Sequence, residues 1–366
     1  MSSRTVDRLQ AKLRDDVFHY AKDGKKAAGR ALGTLVEIIS YYKLAAWGFG
    51  PSLLIERKVP EFGRPDIHHN VEFSLHKRLG GARFKVERDA KPWTKARLAK
   101  HLTLGEARLA NNLLQADGLM RNAAVLDDND GHCLVLNIVG VVGQTLEVEE
   151  TIVHPRPVAI VECKRVGVEE GMRKGPQSIE KAKQGAYVAK SVSSLQKVID
   201  ADGHRSGFLP RPGRTPIVRP YDELLADIIA GRVPLPHHFV LTVGVTSNHG
   251  NWFTAATQNK EMKVLAAAYD WLLFLTDDGL LSFAEDCILD PIRGCEAISA
   301  AFSASYTGVK GGNRFTKTRL DIEADRQLRA YFAVHAKKTD GWFNVISPAR
   351  QKLRELPVQL RQLLAL

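Results

Sequence analysis

The sequence predicts an α/β protein with a helix-and-hairpin segment set between two parts of its main body. Two groups of residues lead there. The first is a strongly apolar run, Val158 to Val161, followed by a helical stretch from Gln177 to Val198 and a second apolar run, Phe239 to Val245. That order fits two buried neighbouring strands joined by a crossover helix. The second lies between about residues 70 and 139, where amphipathic helical runs give way to alternating strands and Asp-Gly turns. At 366 residues and 44% hydrophobic, the chain can bury one large or two ordinary cores. We place boundaries at 1–66, an N-terminal helical part that can contribute to the main core, 67–140, the helix-and-hairpin domain, and 141–366, the main α/β domain.

From Val17 to Trp47, Ala28, Ala31, Leu32, Leu35, Ile39 and Tyr42 recur at helical spacing, and Gly48-Phe49-Gly50-Pro51 ends the run. A short extended segment, Leu53 to Val59, leads into a turn-rich stretch containing Pro65-Asp66. Next, Val71 to Leu79 reads as a helix, Lys95 to Leu102 as a second, and Glu106 to Ala116 as a third after the turn Thr103-Leu104-Gly105. A strand to Leu126, an acidic turn from Asp127 to Gly131 and a return strand from Cys133 to Val139 make a hairpin. Further on, Asn259 to Leu275 reads as an apolar helix with Trp271, Leu272 and Phe274 in the core. Pro348 to Leu366 reads as a terminal helix that docks on the body or on a second subunit.

Lys and Arg number 52 against 41 Asp and Glu, a net charge of +11 that points first to an anionic partner. Residues 77–121 hold eleven of the basic and four of the acidic residues, an excess of +7 in one segment. Its order of elements, and Leu-Leu-Gln-Ala-Asp-Gly-Leu-Met-Arg at 113–121 in particular, resembles a winged helix-turn-helix DNA-binding domain. On the helix 106–116, Arg108, Asn111, Asn112 and Gln115 lie opposite the apolar face of Ala107, Ala110, Leu113 and Leu114. These are side chains whose donors and acceptors fit base edges in the major groove. The resemblance implies base reading by those four, with Lys95, Arg97 and Arg121 on phosphates.

The chemistry-bearing motif is Val158-Ala159-Ile160-Val161-Glu162-Cys163-Lys164-Arg165. Glu162 and Lys164 point to the same side of a strand, because side chains alternate along it. A carboxylate and an ammonium leaving a buried strand together are costly unless paired or used. Phosphodiester hydrolysis uses such a pair, the acid to hold a divalent cation and the lysine to steady a water or developing negative charge. The segment resembles the PD-(D/E)XK nucleases, to which many type II restriction endonucleases belong, over residues 145–250 and a preceding core helix carrying Glu37. The resemblance implies a central mixed sheet flanked by helices, Mg2+ as cofactor, and a Lys, Gln or Tyr on the following helix, which here carries Lys181, Lys183, Gln184 and Tyr187.

The second acid stays open between two positions. A hairpin turning about His154 to Pro157 would set Glu149 across from Glu162 and Glu147 across from Lys164, within about 5 Å. Alternatively Asp66, in a literal Pro-Asp pair, supplies it, with the helix-and-hairpin domain inserted before the Glu-x-Lys strand. Metal ligands are therefore expected at Glu162 with Glu149 or Asp66.

Four cysteines in no ligand pattern exclude a zinc or iron–sulfur site and fit a reducing compartment. His68-His69 and His237-His238 have no companion at ligand spacing, and Gly308 to Phe315 lacks the phosphate-loop spacing. No apolar run approaches eighteen residues and no signal-peptide core is present, so a soluble cytoplasmic protein without membrane contact or organic cofactor is expected. The reading is a Mg2+-dependent type II restriction endonuclease acting on double-stranded DNA as a homodimer. Its rivals are a non-catalytic winged-helix regulator and a structure-directed repair or defence nuclease.

Overall fold

The computed structural model describes residues 6–19, 21, 23–57, 71–87, 93–94, 97–98, 100–102, 108–109, 124–127, 133–166, 176–248, 260–304, 319–348 and 350–366. They form a mixed α/β structure around a nine-stranded sheet, with helices on both faces. The spine is β6, Thr145–Val166. Along one edge of β6 runs the antiparallel strand β2, Val71–Glu87, which carries β1, Leu53–Arg57, on its other side. The opposite edge of β6 carries β5, Cys133–Val142, over Thr145 to Val153. From Ala159 to Val166 that edge carries the parallel strand β10, Leu241–Asn248. Beyond β10 lie β11, Trp271–Leu275, parallel to it, and β12, Phe343–Ser347, antiparallel to β11.

Helix α2, Gly24–Leu44, follows the short α1, Val6–Lys12, and its start is capped by the Asp23 side chain, which accepts from the Lys26 N–H at 3.0 Å. The apolar stripe of α2 is buried on the sheet face carrying Phe73, Val161, Val243 and Val245. The opposite face is covered by α3, Pro176–Ser191, and α5, Lys260–Ala268, through Ala186, Ala189, Met262, Leu265, Tyr269 and Leu272. Between them sits a three-stranded sheet of β7, Gln196–Ile199, β8, Arg205–Arg211, and β9, Arg214–Pro220, followed by α4, Tyr221–Ile229. The C-terminal half adds α6, Asp277–Ala284, α7, Glu296–Ala304, α8, Ile322–Val334, α9, Ala336–Asp340, and α10, Glu355–Ala365. Leu356, Leu360 and Leu363 of α10 are buried in the main core, as the apolar stripe of a docked terminal helix requires.

Three expectations are corrected. Val71 to Leu79 is the start of β2, not a helix: both of its faces are covered, Phe73 and Leu75 in the main core and Val71 against Ile160, Val188 and Val192, although Val71, Leu75 and Leu79 also satisfy a four-residue spacing. Residues 271–275 are a strand, because five consecutive apolar side chains suit a position between two neighbours with both faces covered. The turn at His154 to Pro157 is absent, and β6 continues through it as one strand whose register against β2 shifts between Val153 and Ala159. Pro155 and Pro157 fit extended backbone, and the reversal falls instead at Gly143-Gln144, where Gly143 has a φ of 58° and Val142 pairs with Thr145.

The expected hairpin of residues 124–139 is present as β4, Ala124–Asp127, against β5. It is part of the central sheet, which crosses the expected boundaries at 66/67 and 140/141. Arg108 and Leu109 form β3, paired with Asp127 and Leu126 on the outer edge of β4. Arg108 is therefore on a strand at the place where a recognition helix was expected. No helix among the described residues is long and apolar enough to cross a membrane.

Candidate active site

Strand alternation on β6 sends Val161 and Cys163 to the α2 face and Glu162 and Lys164 to the α3 face. Glu162 is 4% exposed, so its charge must be met locally. Lys164 Nζ donates to Oε1 at 2.6 Å and the backbone N–H of Glu72 donates to Oε2 at 3.0 Å. The second bond marks a parting of strands. The β2–β6 ladder ends at Phe73 and Val161, and continuing that register by one position places Glu72 across from Glu162. There the Glu162 carboxylate replaces the ladder as acceptor for the Glu72 amide.

Charge at this point is dense. Burial alone would lower the Lys164 pKa, but Glu162 and, more weakly, Glu72 outweigh it and hold the ammonium above the ordinary lysine range. On the other face, burial and the fields of Glu72, Glu37 and Glu162 push the Cys163 thiol well up, so it is a neutral thiol. Three carboxylates and one ammonium thus act on one end of the β6 strand.

Two glycines make the room. A Cβ on Gly185 of α3 would lie 3.4 Å from Lys164 Cε, and one on Gly244 of β10, the partner of Glu162, would lie 2.9 Å from the Tyr269 ring. The Tyr269 ring fills that space, its hydroxyl donating to the Gly185 carbonyl at 3.3 Å. Burial, with Glu162 and Cys163 adding to it, raises the Tyr269 pKa, so this hydroxyl keeps its proton.

The structure brings Glu162 and Lys164 together and separates them from Glu149. Glu149 lies thirteen positions before Glu162 on the same strand, about 40 Å along it. It pairs there with Arg83 at 3.3 Å and Arg78 at 3.6 Å. Glu147 lies 3.8 Å from Lys85. Neither faces Glu162, because the turn that would have folded them back does not form. Asp66, Lys95, Asn111, Asn112, Gln115 and Arg121 lie outside the described residues. The Arg97 guanidinium is stacked over the Trp93 ring, 3.9 Å from its centre. On α3, Lys183 and Tyr187 are exposed. The residue that sequence reasoning missed is Glu72. Its signal was present: Val71-Glu72-Phe73-Ser74-Leu75 alternates as a strand does.

Among the described residues, the one set of three His, Cys, Asp or Glu side chains whose ligand atoms lie close enough to share an ion is Asp200, Asp202 and His204, all exposed around the β7–β8 turn. Comparison with protein-family models, characterised proteins and solved structures gives no match.

Proposed function

We propose that the chain is a Mg2+-dependent endonuclease for double-stranded DNA, a restriction enzyme of the type II kind, working as a homodimer. One observation carries the reading: Glu72 stands beside the Glu162–Lys164 pair where β2 parts from β6. The surrounding order supports it: a buried helix, α2, three antiparallel strands, β1, β2 and β6, then a helix, α3, and the parallel strand β10. This is the arrangement that the resemblance to the PD-(D/E)XK nucleases implies, with residues 88–144 inserted between the second and third strands. A net charge of +11 suits a polyanionic substrate, and two-fold related sites are the simplest way to cut both strands.

The donor chemistry of the site fits magnesium. Glu72 and Glu162 offer hard carboxylate oxygens, while the one soft ligand between them and Lys164, Cys163, points to the other face. These two acids would hold the ion. When bound, it would supply polarisation of the phosphate and a bound water more acidic than bulk water. Lys164 stays charged and offsets the negative charge that builds on the phosphate. Tyr269 and the two glycines keep the strand end tightly packed, so that Glu162 and Lys164 are held in place without loss of freedom during reaction.

Incubation with plasmid and Mg2+ tests this reading. Discrete fragments are expected; a smear replaces the restriction assignment by a structure-directed nuclease, and intact plasmid overturns the nuclease reading. The choice of acid is tested in the same assay. Glu72→Gln is expected to lower the cleavage rate at least about tenfold, whereas Glu149→Gln leaves it within about twofold because Glu149 serves only the arginines of β2. The reverse ranking would return the second acid to Glu149.

A further inference from the structure

We propose that Thr246 is a positioning residue for Lys164: its hydroxyl takes the Lys164 ammonium when a divalent cation takes the Glu162 carboxylate. The inference rests on the nuclease reading and adds to it a place for the lysine to go. In the cation-free arrangement Lys164 Nζ occupies Glu162 Oε1 at 2.6 Å, while Oε2 holds the Glu72 amide. A cation binding between the acids must displace the ammonium from Oε1, because two positive charges on one oxygen repel. Glu72, the other anion whose field reaches the ammonium, is claimed by the same cation.

The next acceptor is across the strand. Thr246 is the registered partner of Lys164 on the parallel strand β10. Paired residues of neighbouring strands share a face and lie about 4.8 Å apart, well within the reach of a lysine stem. Thr246 is 0% exposed, and its Oγ1 has no hydrogen-bond partner among the described residues. A buried hydroxyl without a partner is rare in folded proteins, and each one asks for a reason. As an acceptor for an ammonium, it would make a charge-assisted bond. The Tyr269 hydroxyl donates to the Gly185 carbonyl, and at positions 185 and 244 there is no side chain at all. The Lys164 stem lies against Gly185, so the ammonium can swing from one neighbour to the other without displacing a side chain of α3.

The test is calorimetric titration of the full-length protein with Ca2+ in the absence of DNA, on wild type, Thr246→Val, Thr246→Ser, Lys164→Ala and the Lys164→Ala/Thr246→Val double variant. Thr246→Val is expected to weaken Ca2+ binding about tenfold, the size of one charge-assisted hydrogen bond. Thr246→Ser, which keeps the hydroxyl, stays within about twofold. With Lys164→Ala the displaced ammonium is gone, so adding Thr246→Val changes nothing. Unchanged binding in Thr246→Val, or an equal loss in the Lys164→Ala background, overturns the positioning role. Absence of Ca2+ binding in the wild type instead overturns the metal-dependent reading on which the role rests. Thermal melting of each variant identifies any that fails to fold; in that case the Thr246→Ser and wild-type titrations decide, a Ser variant weakened tenfold counting against the role.

Discussion

Glu162→Gln and Lys164→Ala are each expected to reduce plasmid cleavage by about 100-fold or more while DNA retention on a filter persists, if the proposed nuclease function holds. The size follows from what each group does. Glu162 is the acid with two firm local bonds, to the Lys164 ammonium and the Glu72 amide, so its carboxylate is held in one orientation before any ligand arrives. Glutamine keeps that shape but loses the charge that attracts a cation. Lys164→Ala removes the ammonium bonded to Glu162 and leaves its 4% exposed carboxylate with the Glu72 amide alone of these two bonds. Removing one preorganised stabilising group typically costs 100- to 1000-fold, which is about 3–4 kcal/mol of barrier. Lys164→Arg does not restore the rate, since a planar fork cannot take the place of a compact ammonium beside Gly185. Either variant cleaving at more than half the wild-type rate removes Glu162 and Lys164 from the chemistry.

Asp325→Ala is the substitution with the largest expected effect on stability, about 3–5 kcal/mol measured by denaturant unfolding. Asp325 sits on α8, and its carboxylate takes Arg319 Nε at 3.0 Å, Arg329 Nε at 2.8 Å and the Tyr42 hydroxyl at 2.6 Å. Arg319 is wholly buried, and its remaining donors reach Asn137 Oδ1 and the Ile138 carbonyl, both at 3.0 Å. One carboxylate thus ties α8 to α2 and, through Arg319, to β5. Removing it takes from the buried Arg319 guanidinium the carboxylate it meets at 3.0 Å. Burial alone would raise the Asp325 carboxyl, but the two guanidiniums outweigh it and hold it at about 2, against an ordinary value of 3.8. A depressed acid contributes fully above its unfolded pKa and loses that contribution as pH falls through the folded one. The wild type should therefore lose stability between about pH 4 and pH 2, and Asp325→Ala should lose less over that window. A variant within 1 kcal/mol of wild type at pH 7 would show that the network contributes little net stability.

Much of the central sheet and its flanking helices was legible because the signals are local. Val158 to Val161 ending in Glu-x-Lys, the inner stripe of α3 and the apolar run of β10 each stand out within ten or twenty residues. The N-terminal helix and the segment Leu53 to Arg57 were legible for the same reason. The placing of Glu72 beside Glu162 was not, because it depends on register between strands far apart in sequence. Val71, Leu75 and Leu79 fit a helix as well as alternation fits a strand, and choosing the helix hid Glu72. Reading a turn at His154 to Pro157 compounded this, since two prolines look like a reversal but also suit an extended chain. Arg108 shows the same limit: its segment is amphipathic as a helix, yet Arg108 and Leu109 pair with the edge of β4.

Under the proposed function, Glu72 and Glu162 meet at the end of β6 to hold the ion that serves phosphodiester cleavage. Crystals grown with Mn2+ and measured at its absorption edge test this most directly. An anomalous peak is expected at coordination distance, about 2.1–2.2 Å, from carboxylate oxygens of both residues, with Lys164 Nζ moved off Glu162 Oε1. A peak confined to Asp200, Asp202 and His204, or none between Glu72 and Glu162, would contradict it.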